Sequence, residues 1–163
     1  MQFLVFNIYE NCHFIADDVK PIVQSNYSSE LNNKSQKHSH LNCYHFEYYY
    51  DAIQIDVNTS GYYMFLSKST FNTYGYLYEY SFDPHSSEDR SLARYDYPCK
   101  DYNFKMTTYL QFNITYVLVI TTPYDHMNAQ GPFSVIISGS DKVYMKRIGM
   151  CVFNLKLVKM SEG

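Results

Sequence analysis

The densest grouping of chemistry-bearing side chains in this 163-residue sequence is HSHLNCYH, which brings His38, His40, Cys43 and His45 into one short stretch. Imidazole nitrogen and thiolate sulfur are donors that zinc takes tetrahedrally. The spacing matches no structural zinc pattern, however, and the segment is polar. A histidine-rich linker with Cys43 bridged or free is the plainer expectation. A second grouping is acidic: Asp83, Glu88, Asp89, Asp96 and Asp101 surround the two loops beside the YGYLYEY segment. Hard oxygen ligands on loops hold Ca²⁺ when enough of them converge, and Asp83, Asp96 and Asp101 are the residues that would do so. No DxDxDG spacing is present, so a solvated acidic rim is the expected alternative. No other cofactor is implied.

The third grouping is aromatic. In TYGYLYEY, Tyr74, Tyr76, Tyr78 and Tyr80 recur at every second position, which in a strand places them on one face with Gly75, Leu77 and Glu79 on the other. Flat amphipathic rings stack on sugar faces or proline-rich chains and freeze few rotamers on binding. The competing expectation is that the same rings simply pack, because one face of each sheet in a sandwich is buried. Nucleophilic catalysis finds no support: the sequence holds no GxSxG, HExxH, P-loop or GxGxxG. Cys99 and the six histidines are not brought together by anything in the sequence.

Composition narrows the class of partner. The chain carries 19 Tyr, 11 Phe and no Trp, with a net charge of −3 and no run of Lys or Arg. That argues against a phosphate-backbone partner and hence against nucleic acid. No apolar run approaches the roughly 20 residues that span a bilayer as a helix. Cys12, Cys43, Cys99 and Cys151 are far apart and form no CxxC, which reads as one or two bridges in an oxidising compartment. Four cysteines allow three pairings, and in a cytosolic setting they read instead as reduced, partly buried thiols. A Cys43–Cys99 bridge, tying the start of the domain to the segment after LARYDY, is a plainer expectation than a thiol nucleophile at Cys99. Four N-x-S/T sequons, at Asn26, Asn33, Asn58 and Asn113, exceed the about two expected by chance from this composition. Asn58 and Asn113 each precede a strand in an expected turn and are the favoured glycosylation sites. The compartment expected is therefore extracellular or cell-surface. The first residues, MQFLVFNIY, lack a basic n-region and make a poor signal peptide; they read either as a buried strand or as the beginning of a fragment or a sequence whose true start is missing.

These groupings need a frame, and the frame is β. From Ala52 to Gly139 the segments AIQIDV, GYYMFLS, YGYLYEY, FKMTTYL, TYVLVITT and PFSVIIS alternate or run apolar between Gly, Pro, Asn and Asp clusters. Ile53, Ile55 and Val57 share a face, AIQIDV and GYYMFLS read as a hairpin across NTSG, and Gly61 is free to take positive φ there. Tyr116 to Thr122 is the most hydrophobic run and is placed at a sheet centre. With about eight to ten strands and no amphipathic helix, the fold predicted is an all-β, antiparallel two-sheet β-sandwich of jelly-roll or Greek-key type. The domain spans 44–148. Residues 1–43 read as a strand-like run followed by a polar linker, and 149–163 as a terminal strand or tail.

The order of segments from Ala52 to Gly139 resembles the pre-peptidase C-terminal type of β-sandwich. AIQIDV and GYYMFLS open it, TYGYLYEYSFDP stands where that family has a YLYLY-like strand, and LARYDY follows. TYVLVITT and the closing GPFSVIISG complete the series. The resemblance implies a non-catalytic extracellular module that binds polysaccharide or fibrous protein, in some members with calcium on acidic loops. LARYDY offers only Asp96 where the family often shows paired acids, which departs from the calcium pattern. Together these readings predict a binding or adhesion module for a glycan or protein ligand, with the tyrosine row as its surface. A structural or oligomerising module of a surface assembly is the alternative.

Overall fold

An unbroken apolar run such as YVLVIT offers solvent no polar side, so as a strand it must be covered on both faces. The computed structural model, which describes residues 22–39, 47–84, 91–95, 103–123 and 129–149, gives it that place. Ten strands and no helix occur among the described residues: β1 (Val23–Leu31), β2 (Gln36–Ser39), β3 (Glu47–Val57), β4 (Gly61–Ser69), β5 (Tyr74–Glu79), β6 (Ala93–Tyr95), β7 (Lys105–Leu110), β8 (Tyr116–Thr121), β9 (Gly131–Gly139) and β10 (Val143–Arg147). They form an all-β sandwich of two antiparallel sheets. One sheet runs β1-β9-β4-β7, and the other runs β10-β3-β8-β5-β6 with β2 also paired to β3. All six residues of β8 are buried, at the centre of the larger sheet.

Period-two alternation selects the core. Ile53, Ile55 and Val57 of β3 and Tyr116, Leu118 and Ile120 of β8 point inward, with Leu77 of β5 beside them. They meet Tyr63 and Phe65 of β4, Met106 and Leu110 of β7, and Phe133, Val135 and Ile137 of β9. Two sites in this core admit only glycine. A Cβ on Gly75 would lie 2.8 Å from the Met106 side chain and 2.9 Å from the Phe104 ring, and one on Gly139 would lie 2.2 Å from the Tyr63 ring.

Three expectations are corrected. AIQIDV and GYYMFLS do not pair as a hairpin: β3 belongs to the larger sheet and β4 to the smaller, where β4 pairs with β7 and β9. Both segments bury one face in the same core, and residues 58–60 cross from one layer to the other. Gly61 is not the positive-φ glycine, a conformation found instead at Gly131. The polar segment before Tyr44 is also not a linker throughout. β1 pairs along its whole length with β9, from Val23↔Gly139 to Leu31↔Gly131, and β2 pairs with β3. Its polarity misled because Gln24, Asn26, Ser28 and Glu30 face solvent, while inward Ser25 accepts a hydrogen bond from the Val143 amide at 2.9 Å. The strand-like run 1–15 and the C-terminal segment 151–158 lie outside the described residues.

A polar clasp joins the two sheets at the β1/β10 corner. Asp51 is buried in β3, and its carboxylate accepts from the Tyr27 hydroxyl of β1 at 2.9 Å and from Arg147 Nε of β10 at 2.8 Å. A buried carboxylate is tolerated only when charge and hydrogen bonds compensate it. Burial first, and then the Asp51 charge, push the Tyr27 hydroxyl up from 10.0 to about 12. The Asp51 hydrogen bond likewise raises Arg147.

Two outcomes are expected of this packing. Gly139→Ala drives a methyl into the Tyr63 ring and is expected to destabilise the domain by about 1–3 kcal/mol, read from denaturant midpoints. A tyrosine whose folded pKa is raised contributes stability that is complete below its unfolded pKa and lost as pH rises through the folded one. Wild-type stability is therefore expected to fall between pH 10 and about 12, with that component of the slope missing in Tyr27→Phe. Parallel slopes for the two proteins would show that the clasp does not perturb Tyr27.

Candidate recognition surface

The alternation that sends Ile53 and Leu118 inward sends the intervening residues of β3, β8 and β5 to the outer face of the larger sheet. Strand register arranges them in cross-strand rows. Tyr50, Thr121 and Tyr74 lie opposite one another, as do Ala52, Val119 and Tyr76, and then Gln54, Val117 and Tyr78. Tyr50, Ala52, Val117 and Val119 form a buried apolar bed, with Tyr76, Tyr78 and Phe82 packed against it.

Ring contacts tie the bed to its surroundings. Phe82, beyond the end of β5, lies 5.0 Å from the Tyr78 ring and 5.3 Å from Tyr50. Tyr74 and Tyr76 meet edge to face at 6.5 Å. His38 of β2 is buried, edge-on to Tyr50 at 5.5 Å. The Thr121 hydroxyl gives its single proton to the Tyr49 carbonyl at 2.8 Å. It is therefore the acceptor in its 3.1 Å contact with His38 Nε2, so the imidazole carries a proton on Nε2. The Tyr50 hydroxyl donates to Gln36 Oε1 at 2.5 Å.

Of the four expected tyrosines, the fold keeps three on one face. Tyr74, Tyr76 and Tyr78 share the outer face and are half-buried. Tyr80 does not continue the row: β5 ends at Glu79, and Tyr80 turns into the left-handed region at φ 65, exposed, with its amide donating to the Thr115 carbonyl. The alternation breaks there because a positive φ reverses the path of the strand. Asp83 is exposed, while Asp96 and Asp101 lie outside the described residues, as do Glu88 and Asp89. Of the histidines and cysteine in that segment only His38 is described, and it belongs to the aromatic cluster. His40, Cys43 and His45 lie outside, as do Cys99 and with it the Cys43–Cys99 bridge. Among the described residues no three His, Cys, Asp or Glu side chains gather as metal ligands. No described helix is long and apolar enough to cross a membrane.

Sequence reasoning missed Tyr48, Tyr50 and Phe82. Running the Ile53–Val57 alternation backwards through EYYYDA places Tyr48 and Tyr50 on the Ala52 face, so that signal was available. Phe82 had none, because it sits in a loop. Equally unsignalled is the exposed cross-strand pair Tyr62 and Tyr109 on the smaller sheet, edge to face at 5.3 Å.

Asn58 and Asn113 are both exposed, in the turns between β3 and β4 and between β7 and β8. No protein-family model matches this sequence, and no curated protein or solved structure matches it.

Thr121 is the polar keystone of this face. Thr121→Val keeps its shape but leaves His38 Nε2–H and the Tyr49 carbonyl without that hydroxyl. A loss of about 1–3 kcal/mol is expected in equilibrium unfolding. An unchanged midpoint would remove the hydroxyl from the account of this cluster.

Proposed function

We propose that the protein is a non-catalytic extracellular binding or adhesion module, and that it takes carbohydrate or fibrous protein through the outer face of the larger sheet. The observation that carries this reading is the rank Tyr74–Tyr76–Tyr78, half-exposed at every second position, with Tyr76 and Tyr78 seated on a buried apolar bed. Rings held by neighbours lose little further rotamer freedom when a ligand stacks on them, so more of the contact energy appears as affinity. Each ring offers an apolar face to the flat side of a pyranose or a proline, and a hydroxyl at its edge for hydrogen bonding. The resemblance of segments Ala52–Gly139 to the pre-peptidase C-terminal modules supports the same class. So do the sequons, none of which falls on this face. The absence of catalytic motifs from the sequence supports binding without turnover.

Glycan-array and collagen-binding measurements test the proposal. Tyr76→Ala and Tyr78→Ala, each checked for folding by near-ultraviolet circular dichroism, are expected to weaken binding about ten-fold, the effect of ~1.4 kcal/mol. Because these rings also pack, Tyr78→Phe serves as a companion that keeps the ring and removes only the hydroxyl. Absence of any ligand, together with self-association through the same tyrosines, would replace this reading with a structural module.

A further inference from the structure

We propose that Asn58 and Asn113 carry N-linked glycans, and that the innermost sugar on Asn113 lies against the exposed ring of Phe112. This inference rests on the extracellular part of the reading above. Exposure separates the described asparagines cleanly. All four sequon asparagines, Asn26, Asn33, Asn58 and Asn113, are exposed, whereas Asn32 and Asn103 are half-buried and Asn72 is buried.

Two of the four sequons share one end of the sandwich. The Phe112 amide donates to Ser60 Oγ at 2.8 Å, and Ser60 is the hydroxyl residue of the Asn58 sequon. The 58–60 and 111–115 turns are thus tied together. Asn113 adopts the left-handed conformation at φ 68, which asparagine tolerates better than most residues and which holds it at the tip of its turn. Large aromatic surface is exposed at the same end: Phe112 at 52 %, Tyr62 at 71 % and Tyr109 at 48 %. Tyr62 is the second residue of β4 and Tyr109 the penultimate residue of β7, so both flank these turns. A sugar attached one residue from Phe112 is within reach of that ring, and its apolar C–H face suits an aromatic surface.

The transfer balances without redox chemistry. The co-substrate is an oligosaccharide carried on a lipid pyrophosphate. Nδ2 of Asn113 forms a bond to the anomeric carbon as the carbon–oxygen bond to the pyrophosphate breaks. The lipid pyrophosphate leaves with the electron pair, and the amide nitrogen gives up one proton to the transferase. In the folded protein the Thr115 hydroxyl donates to Asp56 Oδ1 at 2.9 Å, while Ser60 Oγ accepts from the Phe112 amide and keeps its own proton.

The test directs the full chain through the secretory pathway of a eukaryotic cell and maps modified asparagines by peptide mass spectrometry after glycosidase treatment. Occupancy at Asn58 and Asn113 is expected, and secreted, folded protein unmodified at both would overturn the sites. For the ring contact, trimming the glycan from wild type is expected to lower the thermal midpoint by several degrees. The same treatment of Phe112→Ala, at an exposed turn, is expected to lower it distinctly less; equal losses would overturn the contact. Protein isolated from its own source and found unmodified in the cytosol would instead refute the extracellular reading. The forced-secretion result keeps that failure separate from failure of the sites.

Discussion

The structure depends on a strand that no side of solvent can accept. β8 is buried on both faces, and its inward residues Tyr116, Leu118 and Ile120 enter the main core. Its outward Val117 and Val119 need a second apolar layer, which the aromatic cluster supplies. Because β3 and β5 both register on β8, satisfying that one strand places Tyr50 and Tyr74 on either side of Thr121, and Ala52 and Tyr76 on either side of Val119. The candidate recognition surface is thus the cover of the central strand as well as a surface in its own right. That double duty explains why its rings are half-buried and why the Tyr50 and Thr121 hydroxyls and the His38 imidazole are held by specific partners.

The periphery is set by a different kind of force. β1 is polar and contributes little apolar area beyond Leu31, with Tyr27 packed against the core. Its docking is directed by hydrogen bonds: Tyr27 to Asp51, and the Val143 amide to Ser25. Burying a carboxylate is costly, so the clasp is better understood as fixing which strands meet at this corner than as a large net source of stability. A shift of β1 by one residue would turn Tyr27 to solvent and leave Asp51 with only Arg147 of its two described partners.

Tyrosine serves three separate purposes here. Tyr63 and Tyr116 are interior, each with its hydroxyl bonded to backbone, to the Thr59 carbonyl and the Gln111 amide. Tyr74, Tyr76 and Tyr78 are half-buried on the outer face of the larger sheet. Tyr62 and Tyr109 stand in solvent beside two sequon turns. The sequons avoid the outer face of the larger sheet, so glycans at the proposed sites would leave the tyrosine rank clear.

Alternation and turn chemistry alone determined the all-β class, the inward faces of β3, β7 and β9, and the central place of Tyr116–Thr121. Those features depend on the period of side chains along a single strand. The tertiary structure decided the rest. Whether AIQIDV pairs with GYYMFLS or faces it across the core is invisible locally, because either arrangement buries the same three side chains. That the polar segment Val23–Leu31 is a strand depended on a partner, β9, a hundred or more residues away. The same holds for the tyrosine row. Its spacing was legible, but its depth was set by Phe82, Tyr50 and the bed beneath it, and Tyr80 left the row through a backbone rotation that no periodicity encodes. Burial belongs to pairs of surfaces, and a sequence read one strand at a time contains only half of each pair.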